Sequence, residues 1–134
     1  PEKPLLEQAK SEATVVNLAN LETLLIQQVK GWAKAWSDKE VDVYVDFYSQ
    51  QHHPGYNSHS AWIEYRRQRI QRPGKISVDI SDIQFRYQSD NGAIVDFKQD
   101  YSSARYSDSV IKRLSFTRDG NAWKISDERV LSVL

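Results

Sequence analysis

The residues most able to do chemistry lie in one short stretch. Arg66, Arg67, Arg69, Arg72 and Lys75 stand against a single acid, Glu64, which leaves a net charge of +4 over residues 64–75. A run of this kind most often marks a solvated helix face. Helical geometry makes one member different. At about 100° per residue, Arg66 falls roughly 40° from Trp62 and inside the arc that Trp62 shares with Ile63 and Ile70. A guanidinium there has three uses: its stem packs along apolar surface while the head reaches water, it pairs with a core carboxylate such as Asp96, or it sits at a pocket mouth and grips an anion through two parallel N–H donors. A carboxylate, a phosphate or an acidic sugar fits the last use.

Other candidates are weaker. Asp42, Asp46, Asp96 and Asp100 would serve as general bases if buried beside a tyrosine, but each falls out of phase with its apolar neighbours and is expected to face away from them. His52, His53 and His59 could ligate a metal, yet they lack the i,i+4 spacing of a helical site and an assured carboxylate companion, and the polar stretch 49–59 with Pro54-Gly55 reads as a surface loop. Neither a metal nor a cofactor is expected. The chain has no Cys, which excludes disulfides, thiolate catalysis and Cys-ligated zinc or iron–sulfur centres. No Gly-rich phosphate loop, nucleophile elbow or zinc-protease motif occurs. The aromatic residues read mostly as core, although a Tyr-rich lining with a few polar tips also describes a small-ligand pocket.

The elements that must position these groups are legible as periodicity. Leu18, Leu21, Leu25, Val29, Trp32 and Trp36 form one helical stripe. Asp38 has the position of an N-cap for a second helix carrying Val41, Tyr44, Val45 and Tyr48, and Ser60 of one for a third helix from Ala61 to about Arg72, stopped by Pro73-Gly74. From Ile76 the period drops to two. Ile76-Val78-Ile80, Ile83-Phe85-Tyr87, Ala93-Val95-Phe97-Gln99-Tyr101 and Val110-Lys112-Leu114-Phe116 alternate with polar neighbours, Asp90-Asn91-Gly92 and Asp119-Gly120-Asn121 mark turns, and Trp123-Lys124-Ile125 follows the second. Three helices and then about four antiparallel strands make an α+β fold. Residues 1–16, with Pro1 and Pro4, read as a linker or extension ahead of a domain over 17–134.

With 134 residues, 40% of them hydrophobic, and 18 basic against 18 acidic side chains, one domain with a real core is expected. Neutrality removes the signal of a nucleic-acid binder. No apolar run approaches the roughly 18 residues of a membrane-spanning helix. A chain that starts at Pro1 and contains no Met is expected to be a processed protein or a domain of a longer one.

The segments Trp32-Ala33-Lys34-Ala35-Trp36-Ser37, Trp62-x-x-x-Arg66-Arg67-x-Arg69-Ile70, Arg72-Pro73-Gly74 and Gln99-Asp100-Tyr101 resemble the nuclear transport factor 2-like (NTF2-like) superfamily over about Leu18 to Val130. More narrowly, they are similar to the NTF2-like domain at the C-terminus of bacterial periplasmic L,D-transpeptidase or carboxypeptidase homologues and of other envelope proteins. The resemblance implies a cone of three helices in a strongly curved antiparallel sheet, often dimerising through the sheet. It includes ketosteroid isomerases and dehydratases as well as members that only bind or dimerise. The expected function is therefore a non-catalytic accessory domain of an exported, periplasmic envelope protein. It would bind a small anionic ligand or peptidoglycan fragment through Tyr48, Trp62, Arg66, Arg69 and Tyr101, with Arg66 on a carboxylate. The alternatives are a small-molecule isomerase or dehydratase, which needs a carboxylate or imidazole inside the cone beside Tyr44, Tyr48 or Tyr101, and a pure dimerisation module with a filled cone and a flat apolar outer sheet.

Overall fold

The computed structural model describes residues 2–134, with side chains from Ala19 onward; the expected linker over residues 1–16 lies outside the residues whose packing is described. The long helix α1 spans Glu2–Ser37. Its apolar stripe is what the core needs: Leu25, Val29 and Trp32 are fully buried, Trp36 nearly so, and Leu21 packs against them.

The end of α1 differs from expectation. Asp38 closes α1 rather than opening α2, because Glu40 N–H reaches back to Ala35 C=O (2.9 Å) and Lys39 N–H to Trp36 C=O (3.1 Å), the paired bonds of a Schellman turn. Lys39 takes the left-handed conformation that this turn requires, φ 60°. The short helix α2, Val41–Asp46, therefore starts from Glu40 with no side-chain cap. Helix α3 is His59–Ile70. Ser58, not Ser60, caps it, since Ser58 is in extended backbone and its Oγ accepts from Ala61 N–H at 3.1 Å.

Four strands follow as a meander, β1 Ser77–Gln88, β2 Gly92–Ser102, β3 Ser107–Asp119 and β4 Ala122–Val133, antiparallel in the order β1-β2-β3-β4. Bulges interrupt β1 at Ser81/Gln84 and Phe85/Tyr87 and the β3–β4 ladder at Ile111/Lys112 and Ser115/Phe116, and such insertions bend and twist a sheet. The concave face wraps α1: Trp32 meets Phe97 edge-on at 5.9 Å and Trp36 meets Tyr101 at 5.2 Å. Ser37 Oγ accepts from Val78 N–H at the C-terminal end of the helix, and Gln88 Nε2 donates to Glu22 near its middle. Helices α2 and α3 close the remaining side, which completes the α+β cone.

The outer face of the sheet is charged. Asp96 lies there, paired with Arg113 (2.7 Å) and Arg86 (3.0 Å), with Arg113 opposite Arg129 and Arg129 bonded to Asp127 (2.7 Å). Arg66 therefore does not pair with Asp96; the sheet separates them. The outer face is not the flat apolar surface that a pure dimerisation module would present. Asp42 and Asp46, as expected, point to solvent, with side chains 86% and 85% exposed.

Candidate functional site

The inner face of the sheet holds two charged side chains in adjacent cross-strand rows, Phe97–Lys112–Val130 and Val95–Leu114–Glu128. An isolated ion at such a position would be expelled or neutralised. Here each has partners: Lys112 Nζ bonds Glu128 Oε2 at 2.7 Å and lies 5.4 and 5.3 Å from the ring centres of Trp32 and Trp36, and Tyr48 OH donates to Glu128 Oε1 at 2.6 Å. Burial disfavours the Glu128 carboxylate, yet Lys112, the Tyr48 hydroxyl and Arg66 outweigh it and hold its pKa below the ordinary value.

Proton counting orders the rest of the network. Tyr48 has one hydroxyl hydrogen, given to Glu128, so its oxygen accepts from Trp32 Nε1–H (2.9 Å) and from Tyr44 O–H (3.0 Å). The direction is fixed as Tyr44 to Tyr48 to Glu128. Burial is the main reason that the Tyr44 phenol is pushed up to about 12 and that of Tyr48 well above 10, so both hydroxyls stay protonated at neutral pH.

Arg66 enters from α3. Its guanidinium carbon sits 5.4 Å from the Trp36 ring centre and 5.3 Å from that of Tyr44, and because those two ring centres are themselves only 5.9 Å apart both rings lie on one side of the cation. Nε is buried and has no hydrogen-bond partner. Burial opposes its charge, but Tyr44, Tyr48 and Glu128 more than compensate, and its pKa is raised. A buried, unpartnered, permanently charged donor is costly, and such groups are commonly completed by a ligand or water.

A cleft of about 370 Å³ opens at this point. Trp36, Tyr44, Trp62, Tyr65 and Arg66 form its helical walls and Lys112, Glu128 and Val130 its sheet wall, while His52, Pro54 and Tyr56 of the 51–57 loop form the rim. The loop is not merely a surface feature. His52 is 7% exposed, wedged against Tyr48 and the edge of Trp62, both at 4.8 Å. His59 stacks on Trp62 at 5.5 Å and its Nδ1 lies 2.7 Å from His52 C=O. Burial lowers the His52 pKa, which keeps the ring neutral at pH 7. Among the described residues no group of three His, Cys, Asp or Glu is placed to hold a metal ion.

Of the five residues expected to bind ligand, Trp62 and Arg66 line this cleft. Tyr48 lies beneath it, 2% exposed, with its hydroxyl committed to Glu128. Arg69 is outside, stacked on Tyr65 at 5.3 Å, and Tyr65 in turn packs on Tyr56 at 5.1 Å. Tyr101 does not line the cleft but packs on Trp36, one of its walls, and on Tyr106. Lys112 and Glu128 were not anticipated. Lys112 carried a signal, since it shares the apolar phase of Val110, Leu114 and Phe116. Glu128 carried none, because the alternation of Trp123 and Ile125 points Asp127 inward until the bulge at Ser115/Phe116 shifts the phase by one.

No curated protein matches the chain. Among solved structures it is similar to Bd1075 of Bdellovibrio bacteriovorus (TM-score 0.71, 23% identity, 81% of this chain and 39% of that one). It is also similar to an NTF2-like protein of unknown function from Pseudomonas putida KT2440 (TM-score 0.72, 11% identity, 84% and 86%). A single-residue variant of the helical cell shape determining protein Pgp2 from Campylobacter jejuni gives TM-score 0.68 at 19% identity, over 78% and 39%. These likenesses establish the fold, and the chain spans about two fifths of the length of Bd1075 and of Pgp2. The signature of one sequence family, the Cds6 C-terminal NTF2-like domain, matches residues 24–129, and the chain belongs to that family.

Proposed function

We propose that this chain is a non-catalytic binding domain of an exported bacterial envelope protein, which takes an anionic fragment of peptidoglycan into its cone. The observation that carries the reading is Arg66: a cation resting against Trp36 and Tyr44, its Nε buried without a partner, at an open cleft. The N–H edge of a guanidinium matches a carboxylate. Lys112 is neutralised by Glu128, so the cleft carries one uncompensated positive charge. The envelope setting is supported by the structural likeness to Pgp2, a cell-shape protein. Titration calorimetry with a peptidoglycan stem tetrapeptide is the test: binding that weakens by about tenfold or more in Arg66→Ala and also on amidation of the peptide's terminal carboxylate is expected. Unchanged affinity in Arg66→Ala would refute the assignment.

A small-molecule isomerase or dehydratase is the second reading, favoured by one observation. Glu128 and His52 both lie against Tyr48 inside the cone. Glu128 is a poor base there, with one oxygen bonded by Lys112, the other by Tyr48, and a depressed pKa. His52, neutral and at the rim of the cleft, is the remaining candidate for proton abstraction. Turnover of a small ketone or hydroxy-ketone that disappears in His52→Gln would favour this reading.

A further inference from the structure

The open edge of β4 supplies an independent observation. Tyr48 and Ile125 form an isolated parallel bridge: Ile125 donates its N–H to Phe47 C=O and accepts from Ser49 N–H, both at 2.8 Å. Residues 47–49 thus lie as a very short strand along the first part of β4, fixed further by Lys124 Nζ on Asp46 C=O at 2.6 Å. The chain then turns off, His52 N–H bonding Ser49 C=O at 3.0 Å. From Ser126 to Val133 no strand or bridge covers the β4 edge among the described residues.

In place of a strand there is a slot. The 51–57 loop, whose His52 lies against the Ser126 backbone, borders with Ser126, Asp127 and Glu128 an open groove of about 530 Å³. The slot joins the Arg66 cleft, because His52, Pro54, Tyr56 and Glu128 border both. Beyond it, Val130, Leu131 and Val133 are 54%, 45% and 73% exposed. An exposed apolar edge with unpaired backbone groups is a template for another strand, and the protein already uses that template once, at Ile125.

We infer that the occupant is an extended peptide which adds to the free edge of β4 where residues 47–49 leave off, its backbone amides pairing with the strand and its terminal carboxylate in the Arg66 cleft. This deepens the binding reading and rests on it. It separates two contributions: backbone pairing recognises a peptide in extended form with little regard to side chains, and Arg66 selects a free terminus.

The test uses three probes on the whole chain: a peptidoglycan stem tetrapeptide, its C-terminal amide, and the free acid N-methylated at alternate backbone amides, each titrated by calorimetry and followed by amide hydrogen exchange. The expected result is that N-methylation weakens binding by about tenfold or more and that the unmodified peptide slows exchange at β4 amides between Ser126 and Val133. Equal binding of the N-methylated peptide, with acid and amide still distinguished and the distinction lost in Arg66→Ala, overturns the strand-addition inference and leaves the anion site standing. Acid and amide bound alike overturns the anion site and this inference with it. Protection of the β4 edge in the free protein that rises with protein concentration identifies a second copy as the occupant and also overturns the proposal.

Discussion

Removing one partner of the Lys112–Glu128 pair exposes how the interior is held. Lys112→Met leaves Glu128 without its cation, and Glu128→Gln leaves an ammonium of which only 7% of the side chain is exposed without its anion. Breaking a buried pair costs about 3–5 kcal/mol, whereas replacing both ions with apolar groups of similar volume is often neutral. Because 21% of the Glu128 side chain is exposed, the lower end applies, about 3 kcal/mol for each single change. Combining Lys112→Met with Glu128→Gln should cost less than either single change, so the coupling exceeds about 3 kcal/mol in magnitude. Urea unfolding of the four proteins, monitored by the tryptophan fluorescence of this Trp-lined core, measures the cycle; a single change of about 3 kcal/mol also lowers Tm by roughly 10 °C. Additive costs would refute the reasoning, since they would mean that the two charges are solvated separately and that the aromatic contacts of Lys112 support it alone.

The same pair sets a pH dependence. The folded pKa of Glu128 lies below its ordinary value of 4.5, so its stabilising contribution is complete above that value and lost as pH falls through the folded pKa; acid titration of stability should show a shallower slope in Glu128→Gln than in the parent. Lys39→Gly should stabilise by about 0.5–1 kcal/mol in thermal unfolding, because Lys39 sits at φ 60° where glycine has no penalty, reduced by whatever its 2.5 Å bond to Arg72 C=O contributes. Gly74→Ala should destabilise by more than about 1 kcal/mol, since φ there is 110° and a Cβ would lie 2.9 Å from that of Ala104. Asp96→Asn should lower stability by about 1–3 kcal/mol, by loosening Arg113 and Arg86 on the outer face, while Arg66-dependent binding on the inner face is unaffected.

What the chain reveals in one dimension follows from period. The α1 stripe from Leu21 to Trp36 becomes the core of the cone, and the change to period two at Ile76 marks where the sheet begins, because burial on one face imposes a spacing that side-chain type records. Even the first β1 bulge leaves a trace, since the apolar phase slips by one between Ile80 and Ile83, where Asp82 takes φ 54°. Cap positions are less legible. Asp38 and Ser60 have the right residue type, but a Schellman turn through Lys39 and the extended backbone of Ser58 decide otherwise.

The inward position of Arg66 on α3 was already fixed by helical spacing relative to Trp62 and Ile70. Its partners were not, because they arise from contacts between segments far apart in the chain. Trp36, Tyr44, Lys112 and Glu128 come from α1, α2, β3 and β4, and the bulge opposite Ser115 turns Glu128 rather than Asp127 to the interior. Sequence thus determined that one cation points into the cone and that no cysteine chemistry operates there. Tertiary structure decided that this cation rests against the rings of Trp36 and Tyr44, that a second cation beside it is neutralised from within, and that both stand next to a strand edge left open, since register and edge exposure are properties of paired chains and not of residues in order.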